Sequence, residues 1–249
     1  MHNQLQGLIF DVDGTLANTE EGHRIAFNQA FEAAGLDWHW SVELYSQLLA
    51  IAGGKERVQH YLRKYQPDFK ASQDLSDFIA YIHQLKTNYY LELLQNGTIQ
   101  LRPGVKRLIT EARDAGISMA IATTSILPNV IALLEKYLDL SWFEIIAAGD
   151  IVSAKKPAPD IYNYVLDKMK LPVQNLLVFE DSDNGLIAAT AAGLKTIVTV
   201  NNYTQQQDLR QAILVVSDLG EPEQPCGVIQ GGFPGDYLDI ASLHSIINS

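Results

Sequence analysis

The sequence predicts an α/β fold, a doubly wound parallel sheet that carries one helical insertion after its first strand. Three observations predict it. Beyond residue 101, short apolar runs alternate with stretches of helical periodicity, the mark of βαβ units whose parallel strands are covered on both faces. From about Ala17 to Gln100 the chain reads instead as helix after helix. Finally, 47% of the 249 residues are apolar and 19% charged, which is enough to fill one large core or two small ones.

The elements follow in order. Leu8-Ile9-Phe10, with Gly14 close behind, reads as a buried strand that ends in a turn. Within the insertion, Ile25, Ala26, Ala30, Phe31 and Ala34 form an apolar stripe closed by Gly35 as a C-cap. Phe78, Ile79, Ile82, Leu85 and Tyr89 repeat the pattern. Gly53-Gly54 marks a turn, Asn96-Gly97 marks the exit, and Trp38, Trp40 and Tyr45 are expected in the insertion's core. Further strands are expected at residues 117–122, 144–148, 176–179, 196–200 and 212–216. Helices are expected at 105–115, 128–138, 160–170 and 185–192, and a last one at 240–247 after a Gly- and Pro-rich surface excursion at 220–235. Right-handed crossovers bring the carboxyl ends of all these strands to one rim, where open α/β sheets bind ligands.

Charge and cysteine content exclude whole classes of partner. There are 18 Lys+Arg against 29 Asp+Glu, a net charge of −11. That balance argues against a grip on nucleic acid, which needs Lys and Arg to displace counterions. Cys226 is the lone cysteine, so no internal disulfide is available, as in a reducing compartment. No apolar run nears the ~18 residues that span a bilayer. The polar start, residues 1–6, does not read as a secretory signal. The expectation is a soluble cytoplasmic protein with neither nucleic acid nor membrane as partner.

The residues just past the expected strands carry the chemistry. Asp11-Val12-Asp13-Gly14-Thr15 follows the first of them. Residues two apart on a strand point the same way, so both carboxylates share a face. Ionised together they repel, unless a divalent cation and a phosphate sit there, and hard oxygen ligands suit Mg2+. Thr123, Thr124 and Ser125 follow the strand at 117–122; hydroxyls and N–H groups ahead of a helix make a phosphate seat, although taken alone the triplet reads sooner as an ordinary N-cap. Pro157 keeps Lys156 extended and able to reach the rim, although Lys155-Lys156 also reads as a solvated surface pair. Asp160 is expected to cap the next helix. The apolar strand at 176–179 delivers Glu180-Asp181-Ser182 to another strand end, with Ser182 or Asp183 capping the helix after it. The order is what makes the set specific: four pieces, each at an expected strand end.

These motifs resemble the haloacid dehalogenase-like (HAD) hydrolase superfamily over nearly the whole chain. The resemblance implies a HAD core of residues 1–16 and 101–249 and a helical cap domain of residues 17–100. It implies a Mg2+-dependent phosphatase, with Asp11 as the nucleophile that forms an aspartyl-phosphate and Asp13 as general acid/base. Thr123, Thr124 and Lys156 would hold the phosphoryl group. Asp181 would bind Mg2+ with Asp11 and the backbone carbonyl of Asp13, and Glu180 would act nearby through a water.

Longer stretches are similar to the CbbY-like branch: DVDGTLANTEEGHRIAF from Asp11, GGKER from Gly53, LRPG from Leu101, AIATTSILPNV from Ala120, IIAAGDIVSAKKPAPDI from Ile145 and EDSDNGL from Glu180. Members of that branch remove Rubisco-inhibiting sugar bisphosphates, notably xylulose-1,5-bisphosphate. The likeness implies that Glu20 and His23, three apart and so on one helix face, contact substrate hydroxyls. It implies that Lys55, with Arg57 beside it, reaches a second phosphate. The expected partner is a small-molecule sugar phosphate, the expected state a monomer, and the linkers near Ala17 and Gly97 are the hinge candidates for a cap that opens to substrate.

Two other readings share the core motifs. A sugar phosphomutase of the β-phosphoglucomutase type forms the same aspartyl-phosphate but returns the group to sugar. A phospho-accepting, receiver-like signalling domain also gathers carboxylates, a hydroxyl and a lysine around Mg2+, but needs neither the insertion nor Asp13 as a leaving-group acid.

Overall fold

A computed structural model describes residues 4–71 and 74–248, so residues 1–3 of the polar start lie outside it. The chain forms two compact units, Met1–Asn18 with Leu101–Ser249, and Thr19–Gln100.

The first unit is built on a seven-stranded sheet. Its strands are β1 (Gly7–Phe10), β2 (Ser118–Thr123), β3 (Ile145–Ala148), β4 (Leu176–Glu180), β5 (Lys195–Thr199), β6 (Leu214–Val216) and β7 (Val228–Gln230), in the order β3-β2-β1-β4-β5-β6-β7. The first six pair in parallel. Every residue of β1 and β4 is buried, so both faces of the sheet centre are covered, and these strands read as unbroken apolar runs rather than alternating ones.

The helices of this unit are α5 (Val105–Asp114), α6 (Leu127–Tyr137), α7 (Asp160–Met169), α8 (Asp183–Ala191) and α9 (Ile240–Ile246); α1 to α4 belong to the second unit. Ile161, Tyr162 and Val165 of α7 and Ala188 and Ala189 of α8 pack on Ile9, Ala120, Ala122 and Val178, alternate residues of one sheet face. Strand order reverses at β1: the chain runs out through β2 to β3, then returns to place β4 on β1's other side. Such a switch point opens a crevice at the carboxyl ends of the strands.

Two local expectations change. The stretch 220–235 is more than a surface excursion, because it contributes β7, antiparallel to β6 through Val215↔Gln230 and Val216↔Val228. Three residues between glycines and prolines are too short a run to carry a strand signal, and the exposed Val228 and Ile229 give no burial pattern. Asp160 does not cap α7; it stands in the first turn after Pro159, where its charge faces the positive end of the helix dipole. Ser182 does cap α8, accepting the Gly185 N–H at 3.3 Å.

The second unit comprises α1 (Thr19–Ala33), α2 (Val42–Leu48), α3 (Gly54–Tyr65) and α4 (Leu75–Gln95). Its core is aromatic. Trp38, Trp40 and Tyr45 are buried, and the Phe31 ring meets Trp38 at 5.5 Å and Trp40 at 5.0 Å, edge to face. Gly35 ends α1: its N–H bonds Glu32 O, and the Leu36 N–H bonds Phe31 O. On α1 the buried stripe is Ala26, Phe27, Ala30 and Phe31, with Ile25 and Ala34 only half buried. On α4 the buried face runs through Phe78, Ile79 and Ile82 to His83, Lys86, Thr87 and Tyr90, while the expected Leu85 and Tyr89 are half buried. Hydropathy places a lysine outside, but the Lys86 ammonium lies 5.4 Å from the Phe27 ring centre and 5.2 Å from that of Tyr90, and cation–π attraction offsets part of its desolvation.

Candidate active site

Loops at the carboxyl ends of β1 to β5 deliver the polar side chains. Asp11 follows β1, and its N–H still bonds Phe179 O at 3.0 Å, so the ladder runs one residue past the strand. The chain then turns back on itself: the N–H groups of Thr15 and Leu16 both reach Val12 O. Gly14 has φ +80°, a conformation that side chains make costly. The turn gives the two aspartates different neighbours. The Asp13 carboxylate accepts the Ser125 hydroxyl, whereas the Asp11 carboxylate joins Glu180 and Asp181.

Asp11, Glu180 and Asp181 are all buried and offer oxygens within 4.8 Å of one another. Lys156 is inserted among them. Its Nζ donates to Asp11 Oδ1 at 2.7 Å, to Glu180 Oε1 at 2.6 Å and to Ala122 O at 2.8 Å, three acceptors for the three donors of an ammonium. The surface-pair reading therefore holds for Lys155 alone, which reaches out to Asp150 at 3.2 Å. The Lys156–Pro157 peptide is cis. Glu180 is held from three sides, as its Oε1 also accepts the Tyr162 hydroxyl and its Oε2 the Asp181 N–H at 3.2 Å. Gly185 closes over it: a Cβ at that position would lie 2.0 Å from the Glu180 carboxylate. Gly185→Ala is therefore expected to displace Glu180 and loosen Lys156, with a loss of about 1–3 kcal/mol from overpacking of the core. Urea denaturation measures the loss, and an unchanged midpoint would contradict this packing.

Electrostatics follow from two carboxylates sharing one ammonium, with the Asp181 carboxylate beside them. Burial pushes the Asp11 carboxyl well above its usual range, the Lys156 charge pulls it back, and the charges of Glu180, Asp181 and Asp13 add to the rise. Burial also opposes the charge on Lys156, but Asp11 and Glu180 outweigh it and hold the ammonium above the ordinary lysine range. Burial and the Glu180 charge raise the Tyr162 phenol well above its usual value, so it stays a neutral donor. A buried, oxygen-only cluster with excess negative charge fits a hard divalent cation.

Thr123 is buried at the end of β2, and its hydroxyl accepts the Ser125 N–H at 3.1 Å. The N-cap of α6 is Ile126, which makes no side-chain cap bond, so the Thr123-Thr124-Ser125 hydroxyls do not cap that helix. Thr124 is half buried in the same loop.

In the second unit, Glu20 and His23 are both buried on α1, and the His23 ring stacks on Tyr90 at 4.3 Å. Lys55 is exposed in the first turn of α3. Arg57 donates to Leu48 O, Ile51 O and the Tyr45 hydroxyl and lies over the Tyr45 ring, so it fastens the connection between α2 and α3.

Three polar residues escape the sequence reading. Tyr162 sits within α7 like any core aromatic. Asn201 donates its amide to Asp181 Oδ2 at 2.8 Å. Arg102, only 7% exposed, donates to the carbonyls of Gly14, Thr199, Val200 and Ser217, and so ties the turn after Asp13 to the ends of β5 and β6. Each acts on a partner far away in sequence, and nothing local to these residues marks them.

A doubly wound sheet with a lysine-bound aspartate past its first strand, and two more carboxylates past the neighbouring one, defines an α/β enzyme. The profile of the haloacid dehalogenase-like hydrolases matches residues 5–193, and the chain belongs to that family. It is 44% identical over 244 residues to the plasmid-encoded protein CbbY of Cupriavidus necator, covering 97% of this chain and 96% of that one. It is also 44% identical to CbbY from Rhodobacter sphaeroides, solved in complex with phosphate, with a TM-score of 0.79 over 86% of this chain and 95% of that one. A variant of the same protein, solved in complex with xylulose-(1,5)bisphosphate, matches over the same shares with a TM-score of 0.80. Among the described residues no helix is long and apolar enough to cross a membrane.

Proposed function

We propose that this hydrolase is a phosphatase that acts on a sugar phosphate, xylulose-1,5-bisphosphate above all, through an aspartyl-phosphate on Asp11. The observation that carries the reading is the Asp11 carboxylate, buried and bonded to Lys156 with Glu180 and Asp181 alongside. The 44% identity to the CbbY solved with the bisphosphate supports the substrate.

In the first step an Asp11 oxygen attacks phosphorus, the ester P–O bond breaks, and protonated Asp13 hands its proton to the departing alkoxide. In the second, water attacks the aspartyl-phosphate, Asp13 takes the water's proton, and the P–O bond to Asp11 breaks to release inorganic phosphate. Lys156, with Thr123 and Thr124, holds the phosphoryl oxygens in place, and charge stabilisation of this kind dominates phosphoryl transfer. Asp11, Asp181 and the Asp13 carbonyl would hold Mg2+, with Glu180 next to them. When bound, Mg2+ supplies positive charge to the transferring group.

Residues 17–100 serve as the cap domain on a core of residues 1–16 and 101–249. Glu20 and His23 contact substrate hydroxyls and Lys55 the second phosphate, while Arg57 keeps its structural place. The same reading makes the protein a cytoplasmic monomer, and its acidic charge fits a small-molecule substrate rather than nucleic acid.

Phosphate release from a panel of sugar mono- and bisphosphates, with Mg2+ and with EDTA, tests this. Fastest release from xylulose-1,5-bisphosphate is expected, with loss of activity in EDTA. Lys55→Ala is expected to lower kcat/KM about 10–100-fold for the bisphosphate alone, the worth of one charged hydrogen bond. Equal rates on monophosphates overturn the substrate. An isomerised sugar without free phosphate means a mutase, and a lasting phosphoprotein without turnover means a receiver.

A further inference from the structure

The end of β5 carries a residue whose arrangement serves Asp181. Strands β4 and β5 are parallel neighbours with Glu180 opposite Val198, so the chain leaving β5 passes beside the chain leaving β4. Val200 stays in the ladder through its N–H to Val216 O. Asn201 then opens a tight turn. Its own N–H bonds the Thr204 hydroxyl at 3.1 Å, and the N–H groups of Thr204 and Gln205 both return to its carbonyl. Within that turn the Tyr203 N–H donates to Asn201 Oδ1 at 2.8 Å. Only the oxygen end of an amide accepts, so this bond fixes which way the amide faces. The NH2 end is left toward Asp181, and it donates to Oδ2 at 2.8 Å.

We infer that Asn201 is a positioning residue that orients the Asp181 carboxylate for a divalent cation, which rests on the reading of Asp181 as a metal ligand. The choice of side chain suits the task. A lysine or arginine there would also grip Asp181, but its charge would repel the incoming cation; a neutral amide orients one oxygen and leaves the other free of added positive charge. Partners of this outer kind are typically worth 10–100-fold in metal affinity.

The test is Mg2+ titration of the full chain by calorimetry, comparing Asn201→Ser, Asn201→Ala and Asp181→Asn with the wild type. Serine keeps an oxygen for the Tyr203 N–H but is too short to reach Asp181. Both Asn201 variants are expected to weaken Mg2+ binding about 10–100-fold. The metal-free melting temperature of Asn201→Ser and the substrate KM of both variants at saturating Mg2+ should match those of the wild type. Wild-type affinity in Asn201→Ser overturns the inference, and if Asn201→Ala alone is weak, the turn and not the donor matters. A lowered metal-free melting temperature with weak binding in Asn201→Ser also overturns it, by assigning Asn201 to the fold of the loop. Wild-type binding by Asp181→Asn would instead remove Asp181 from the metal site, a distinct failure.

Discussion

Asp11→Asn is expected to cut phosphate release by on the order of 10^4-fold or more while leaving the metal-free protein at least as stable as the wild type. The amide is the same size as the carboxylate but cannot attack phosphorus, and Lys156 keeps its bonds to Glu180 and Ala122. The sign of the stability change comes from the raised Asp11 carboxyl. A folded state that binds this proton more tightly than the unfolded chain loses stability as pH rises through the folded value, and shows no such loss below the ordinary carboxylate value of about 3.9. The variant does not titrate there. Thermal melts in EDTA should therefore show it ahead of the wild type at neutral pH, with the gap closing on acidification. A variant that melts well below the wild type at neutral pH would mean that the ionised Asp11–Lys156 pair holds the fold together.

Lys156→Met should weaken the protein itself by about 3–5 kcal/mol, the usual outcome when one partner is taken from a buried ion pair. Asp11 and Glu180 would then face one another with no ammonium between them. Turnover should fall as well, since the same ammonium is proposed to hold the phosphoryl oxygens. Adding Glu180→Gln to Lys156→Met should recover part of the stability and none of the turnover. Urea melts of the single and double variants measure the coupling. Equal midpoints for wild type and Lys156→Met would show that the three-way contact contributes nothing to folding.

Much of the first unit was legible in the sequence because its central strands are buried on both faces and therefore spell out apolar runs. Leu8-Ile9-Phe10 and the run ending at Phe179 point directly at Asp11 and Glu180, and the strand-end rule brings Lys156 to them. The less legible parts share a physical cause. Strand β7 is three residues long and largely exposed, so neither length nor alternation marks it. The buried face of α4 includes His83 and Lys86, which a hydropathy pattern assigns to water. Tyr162 and Asn201 each reach their carboxylate through one hydrogen bond across 18 and 20 residues of sequence, Arg102 reaches its carbonyls across 88 to 115, and a lone chain carries no trace of such pairings. Arg57 is marked by the loop it follows, and the structure adds what the sequence did not carry, three bonds from its guanidinium to Leu48, Ile51 and Tyr45.

Ala17 pairs with Leu101 in an antiparallel bridge, and the Arg102 N–H reaches Leu16 O at 2.9 Å. The two crossings out of the sheet are thus stitched together before any of the intervening 82-residue unit, Thr19–Gln100, is counted. Closing a loop grows harder only with the logarithm of its length, about 0.6 kcal/mol for each doubling. A suture at the neck makes the sheet nearly indifferent to the length of the excursion beyond it: an insert of half or twice the size would change the cost of closing the loop by well under ~1 kcal/mol.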